Sequence, residues 1–310
     1  MKSKPSSARM SQLSLAVAMV IFGTVPLVQH YIPLSSPMIA LSRGLLGTLV
    51  LLLVMLIRRR RFDRKAVRAN LVRILISGVV LGVNWIVLFE SFRLTTVSVA
   101  TLCDNFAPLF VVLVTPLIFK EKLTKEKIIC VLVAAAGILF VSGFLGEVEI
   151  GNPKGVVLSL CSAVLYGTVM ILNKTIVGVP AFEKTILQLG ACAAALFPYV
   201  LLTEDFSAVQ LDGLGLAMLL VAGVVHTGVA YLLYFGSMDG MRAQTVALMS
   251  YIGPCVSLLV STLALKEPMT WLQGVGAVFI LGAAFFSGRD GRQPGGKPDG
   301  KQEAYSKCKS

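Results

Sequence analysis

At 310 residues, with 56% hydrophobic and only 14% charged side chains, the chain is too apolar for a soluble globular protein of its length. Its formal charge of +12 invites a nucleic-acid reading, but the basic residues sit in the gaps between long apolar blocks, as they do in membrane-protein loops. Five of the six cysteines (Cys103, Cys130, Cys161, Cys192, Cys255) fall inside those blocks at spacings that match no metal or redox motif, so no metal or cofactor is expected.

Crossing roughly 30 Å of hydrocarbon takes about 20 apolar residues at about 1.5 Å each. Ten blocks fit, at about 12–30, 37–57, 71–92, 97–119, 127–145, 155–174, 183–202, 214–236, 243–265 and 270–287. The expected fold class is all-α integral membrane, with ten transmembrane helices. The first block is long and opens a repeat, so it reads as a span and not as a cleaved leader. With the amino terminus inside, 24 of the 28 Lys and Arg residues fall on the cytoplasmic side. Only Arg93, Lys154 and Lys266 fall outside, and Arg43 alone lies within a span. Charge bias of this kind sets orientation and places both termini in the cytoplasm.

The first span contains Gly23-Thr24-Val25, and Gly167-Thr168-Val169 answers it in the sixth. Span two carries Arg43, and the loop after it, RRRRFDRKAVRANLVR, is the strongest charge block, read as an orientation anchor. Span three holds Gly78 and Gly82, spaced for close approach of a neighbouring helix, followed by Asn84, Trp85 and Glu90. Span four carries Asp104, Asn105, Pro108 and Pro116. Span six offers Tyr166 and Asn173, span seven Gln188 and Pro198, span eight His226, Tyr231 and Tyr234, and span nine Ser250, Tyr251 and Pro254. The sequon Asn173-Lys174-Thr175 falls on the cytoplasmic side and is read as accidental. The tail beyond Gly288, rich in Gly, Pro and Lys, is expected to be disordered.

The stretch FESFRLTTVSVATLCDNFAPLFVVLVTPLIFKEKLT, residues 89–124, recurs 146 residues later without a slip in register. Pro108 matches Pro254, and Lys120, Glu121 and Thr124 match Lys266, Glu267 and Thr270, which marks a duplication. Five spans separate equivalent positions, so the second copy enters the membrane from the opposite face. The expected organisation is an amino-terminal segment (1–11), a first five-helix repeat (12–146), an external linker (147–154), an inverted second repeat (155–287) and a cytoplasmic tail (288–310).

Two inverted five-helix halves, each with a Pro-bearing fourth helix that ends in Lys-Glu-x-x-Thr, resemble the EamA-type branch of the drug/metabolite transporter superfamily. The resemblance covers about residues 12–287 and rests on Gly23-Thr24, Arg43, the run from Thr95-Thr96-Val97 to Pro108, Lys120-Glu121, Pro254 and Lys266-Glu267. It implies a secondary transporter of small metabolites, often an exporter, with a central cavity walled by both halves. This sequence departs from the family's usual pattern at Asp104, where an uncharged residue is more common.

The residues themselves narrow the site. Pro108 and Pro254 free the carbonyls of Asp104 and Ser250, which points to a wet cavity or to simple kinks in packed helices. Arg43 and Asp104 fall at a similar depth and suggest a pair, with Glu90 the rival partner and outward snorkelling the alternative. Glu90 reads either as a headgroup-level carboxylate or as a coupling or amine-binding site. His226 reads as a helix-bridging hydrogen bonder or as a substrate or proton contact. Asn84, Asn105, Tyr166, Tyr231, Ser250 and Tyr251 are candidates for the cavity wall. The chain lacks HExxH, GxSxG and any close carboxylate dyad, which argues against an enzyme. A duplicated pair of broken helices suits alternating access better than a fixed channel. The reading is a multi-pass carrier of the bacterial inner membrane that exports small polar metabolites such as amino acids. Protons and membrane lipid are its other partners, and no nucleic acid. Efflux of drugs or cationic amphiphiles is the alternative that the acids Asp104 and Glu90 keep open.

Overall fold

In hydrocarbon every backbone N–H and C=O needs a partner, and a helix supplies one within the segment. The computed structural model describes residues 5–119, 125–141, 152–238, 249–250 and 252–289, and among these the chain is helical with no strand. In chain order the helices are α1 (Pro5–Gly23), α2 (Val25–His30), α3 (Ser36–Ile57), α4 (Arg64–Leu94), α5 (Val97–Asp104), α6 (Ala107–Phe119), α7 (Lys125–Val141), α8 (Pro153–Thr175), α9 (Ala181–Thr203), α10 (Gly213–Leu220), α11 (Ala230–Met238), α12 (Ile252–Leu259) and α13 (Trp271–Arg289). A π-helical stretch, Val221–Val229, joins α10 to α11, and a second, Val260–Ala264, prolongs α12.

Seven stretches among the described residues are long and apolar enough to cross a membrane: Met10–His30, Ser36–Ile57, Arg64–Leu94, Val97–Ile118, Pro153–Thr175, Ala181–Thr203 and Gly213–Tyr234. Three shorter apolar helices, Ile128–Phe140, Ile252–Ala264 and Trp271–Ala283, lie in the blocks read as spans five, nine and ten. An outward stripe on α3 (Leu45, Leu49, Leu53, Leu56) is exposed, while Gly44, Gly47, Leu51 and Met55 are buried. So large an exposed apolar face fits lipid and not water.

Helix starts follow local chemistry. Ser35, Asp63, Thr96, Asn152 and Asp212 each cap a helix by accepting from a backbone N–H in its first turn. The helices of the two halves then interleave. α4 lies against α8 and α9, α3 against α9 and the first π stretch, and α1 against α11 and α12. A shared core containing Met38, Leu51, Trp85, Phe89, Leu189 and Leu196 fills the centre. Close approach depends on glycine at the seams. A Cβ on Gly78 would lie 2.5 Å from the Gln188 carbonyl oxygen, and one on Gly23 would lie 2.6 Å from that of Gly253.

The matched Lys-Glu-x-x-Thr signature has a structural role in its second copy. Lys266 takes a left-handed backbone (φ 55°), and the Glu267 carboxylate accepts from the Val97 N–H at 2.9 Å and from the Ser261 hydroxyl. Glu267 thus caps α5 of the other half. Thr270 and Gln273 bond reciprocally, each side chain accepting from the other's N–H, and open α13. The first copy, Lys120 to Thr124, lies outside the described residues.

Candidate central site

Helix α1 stops at Gly23 and α2 starts at Val25, leaving Thr24 at the joint. A second interruption separates α5 from α6. Asn105 closes α5 by donating its side-chain amide to the Thr101 carbonyl at 2.7 Å, and the Phe106 N–H reaches the Cys103 carbonyl at 3.0 Å. The break therefore falls at Asn105 and Phe106, and Pro108 follows in the first turn of α6, where a missing N–H leaves no intrahelical bond unmade. Asn105 spends its amide group on its own helix end. Pro254 lies in α12, and Ser250, half-buried, is helical just before it; Tyr251 lies outside the described residues.

Arg43 is buried, at 6% exposure. Its guanidinium carbon sits 4.6 Å from the centre of the Trp85 ring and 5.2 Å from that of Phe89, and its Nε donates to the Thr227 hydroxyl at 3.4 Å. Guanidinium groups shed water readily and stack on aromatic faces, which lets the charge settle here.

The expected pairing of Arg43 with Asp104 or with Glu90 is not formed. Asp104 instead accepts from the Ser162 hydroxyl at 2.7 Å, and Ser162 Oγ in turn accepts from the Asn84 amide at 2.8 Å. Glu90 accepts from the Ser36 hydroxyl at 2.9 Å. The reason is direction around the helix and not depth. α3 turns Arg43 onto the aromatic face of α4, whereas Asp104, at the end of α5, faces α8.

Two tyrosines are coupled electrostatically to these charges. The Tyr231 hydroxyl is within electrostatic reach of Arg43, and Tyr166 is within reach of Tyr231, Tyr234 and Asp104. Phe22 packs on the Tyr231 ring with centroids 5.3 Å apart. The Tyr166 side chain is 45% exposed. Arg43, Tyr231, Tyr166 and Asp104 are thus linked electrostatically one to the next, with opposite charges at the ends of the series. His226 is buried beside it, with Nε2 3.0 Å from Thr24 Oγ1 and Nδ1 3.3 Å from the Val221 carbonyl oxygen.

Sequence reasoning missed Ser162 and Thr227, the partners that hold Asp104 and Arg43. A small hydroxyl in an apolar span gives no periodic signal. Gln188, a polar residue in an apolar span, did leave one; its amide donates to Asn173 at 2.7 Å and also reaches Ser77. Glu183, buried at the start of α9 with an oxygen that has no hydrogen-bond partner, was also not singled out.

Comparison with known proteins agrees with the duplication. The profile of the EamA-like transporter family matches twice, over residues 9–143 and 153–289. The uncharacterized transporter YxxF of Bacillus subtilis is 26% identical over 272 residues, 87% of this chain and 86% of that protein. An uncharacterized transporter of Vibrio cholerae is 25% identical over 90% of this chain and 91% of its own. Protein PecM of Dickeya dadantii is 26% identical over 66% of this chain and 68% of its own. A solved crystal structure, 20% identical, superposes with a TM-score of 0.62 over 92% of this chain and 97% of that one, a likeness of fold.

Proposed function

The chain belongs to the EamA-like transporter family, and from that premise we propose that it is a secondary carrier that exports small polar metabolites, amino acids among them, by alternating access. The observation that carries this reading is the linked series from Arg43 to Asp104. Two opposite charges stand in the interior of the bundle, each held by a hydroxyl and neither neutralised by the other. Charges at such depth are expensive, and function is the usual reason for keeping them. A zwitterion laid along the tyrosines places its carboxylate on Arg43 and its ammonium on Asp104.

The interleaved halves supply the wall, and the interrupted helices at Thr24 and Asn105 supply backbone groups for cargo and joints for movement. The same reading sets the membrane as the bacterial inner membrane, with both termini in the cytoplasm. Arg43 counts against a lipophilic cation as the main cargo, because such a molecule would meet a guanidinium at one end of the series.

The test is a competition panel of radiolabelled metabolites in proteoliposomes, with and without an imposed proton gradient. Saturable uptake that a defined set of zwitterions competes for supports the carrier. Unsaturable flux points to a channel, and competition by lipophilic cations alone points to drug efflux.

A further inference from the structure

Both ring nitrogens of His226 face oxygen atoms, and the two oxygens differ in kind. The Val221 carbonyl, 3.3 Å from Nδ1, can only accept, so Nδ1 must carry hydrogen for a bond to form. The Thr24 hydroxyl, 3.0 Å from Nε2, also lies 2.8 Å from the Ile21 carbonyl oxygen and has a single proton to give.

Resting on the carrier reading, we infer that His226 is a proton-binding site of the transport cycle and that its charge sets where the Thr24 hydroxyl points. When the ring is neutral, Nδ1–H donates to Val221, the lone pair on Nε2 accepts the Thr24 O–H, and the Ile21 carbonyl loses that hydroxyl. When a proton from water binds Nε2, the new N–H donates to Thr24 Oγ1 and the hydroxyl turns back to Ile21. No other bond is made or broken.

The place of this switch gives it leverage. Thr24 is the joint between α1 and α2, and His226 lies in a π-helical stretch, a local irregularity that recurs at functional sites. His226 therefore ties the opening helix of the first half to a helix of the second that carries a π distortion.

The surroundings also link it to cargo. Of the elements packed on the π stretch, α3 brings Arg43, whose charge reaches His226; α11 brings Tyr231 and Tyr234; α10 brings no titratable group; α2 brings His30 at its far end; and α1 meets it through the Thr24 joint. Imidazolium beside guanidinium puts two like charges in a poorly screened interior. A carboxylate docked on Arg43 offsets that repulsion, so anionic cargo and the proton favour each other's binding, and by linkage the effect is reciprocal.

The chain has two histidines, so a His30→Gln variant leaves His226 as the sole reporter. The experiment is nitrogen-15 NMR of histidine-labelled full-length His30→Gln protein in lipid nanodiscs across a pH series. The expected neutral form carries hydrogen on Nδ1 and an acceptor-type Nε2, an order that free histidine in water does not favour. Acidification should convert Nε2 to a protonated nitrogen, Thr24→Val should shift the Nε2 resonance while sparing Nδ1, and Thr24→Ser should restore it. Sodium acetate in place of chloride, as the carboxylate probe, should raise the doubly protonated fraction at fixed pH, and should not do so in Arg43→Gln. A neutral ring with hydrogen on Nε2, or an Nε2 resonance indifferent to acid, would overturn the assignment. Should Thr24→Val fail to fold, the tautomer of the Thr24-containing protein and its Thr24→Ser variant decide the matter. These readouts need no transport, so a missing flux with the tautomer intact removes the carrier reading alone.

Discussion

The Ser162 hydroxyl donates to the Asp104 carboxylate at 2.7 Å and so ties the middle of α8, in the second half, to the end of α5, in the first. The joint answers a local conflict. A carboxylate at the carboxyl end of a helix meets the negative pole of the helix dipole, and α5 ends at Asp104. Ser162, itself held by Asn84, supplies the donor that offsets it.

Removing that donor should therefore destabilise the fold. Ser162→Ala leaves a partly buried carboxylate oxygen without its partner, an effect of about 1–3 kcal/mol. Thermal unfolding of the purified protein in detergent reads the change. The same serine substitution in an Asp104→Asn background should cost clearly less, because the two residues act as one unit.

Arg43 should tolerate loss of shape better than loss of charge, yet tolerate neither well. Arg43→Lys keeps a cation but loses the planar group over Trp85 and the Nε bond to Thr227. Arg43→Gln loses the charge as well. The expected order of apparent cargo affinity in uptake assays is wild type, then Lys, then Gln, with Gln weaker than wild type by about tenfold or more, or about 1.4 kcal/mol.

Glycine substitutions should differ in sign with position. Gly78→Ala forces a Cβ to within 2.5 Å of the Gln188 carbonyl oxygen, backbone that cannot step aside. Overpacking of this kind destabilises by about 1–3 kcal/mol. Gly274→Ala in α13 meets nothing within 4 Å, and alanine there should stabilise by about 0.5–1 kcal/mol through helix propensity. Melting temperatures of the two variants, compared in one detergent, check both signs.

Glu267 should act as a cap across the halves. Glu267→Ala strips the Val97 N–H of its acceptor and should destabilise by about 0.5–2 kcal/mol, while Glu267→Gln, which keeps an oxygen, should fall between Ala and wild type. Protection of the Val97 amide in hydrogen exchange should drop in the same order.

What the sequence disclosed was length, polarity and repetition. Apolar blocks of spanning length and the Lys-Glu-x-x-Thr match gave the helices and the duplication, and Glu267 on Val97 now gives that signature a physical reason. Residues along a helix rise by a fixed step, which put Arg43 well inside its span, and it is buried. Direction was not legible. Which way Arg43 turns depends on packing between α3 and α4, and Trp85 took the place expected for an acid. The partners Ser162 and Thr227 stayed hidden because single hydroxyls in apolar spans follow no period. At the break beside Pro108, what sequence did not show is that Asn105 ends α5 with its own side chain before Pro108 is reached.

The central claim, a linked series with a cation-seeking end and an anion-seeking end, is tested most directly by counterflow in proteoliposomes. Labelled zwitterionic amino acids are to be compared with their N-acetyl and amide derivatives. The account predicts that wild-type protein exchanges only cargo with both charges, that Asp104→Asn ceases to distinguish the N-acetyl forms, and that Arg43→Gln ceases to distinguish the amides. Exchange that is equally fast for all three forms, or that both variants leave unchanged, would contradict it.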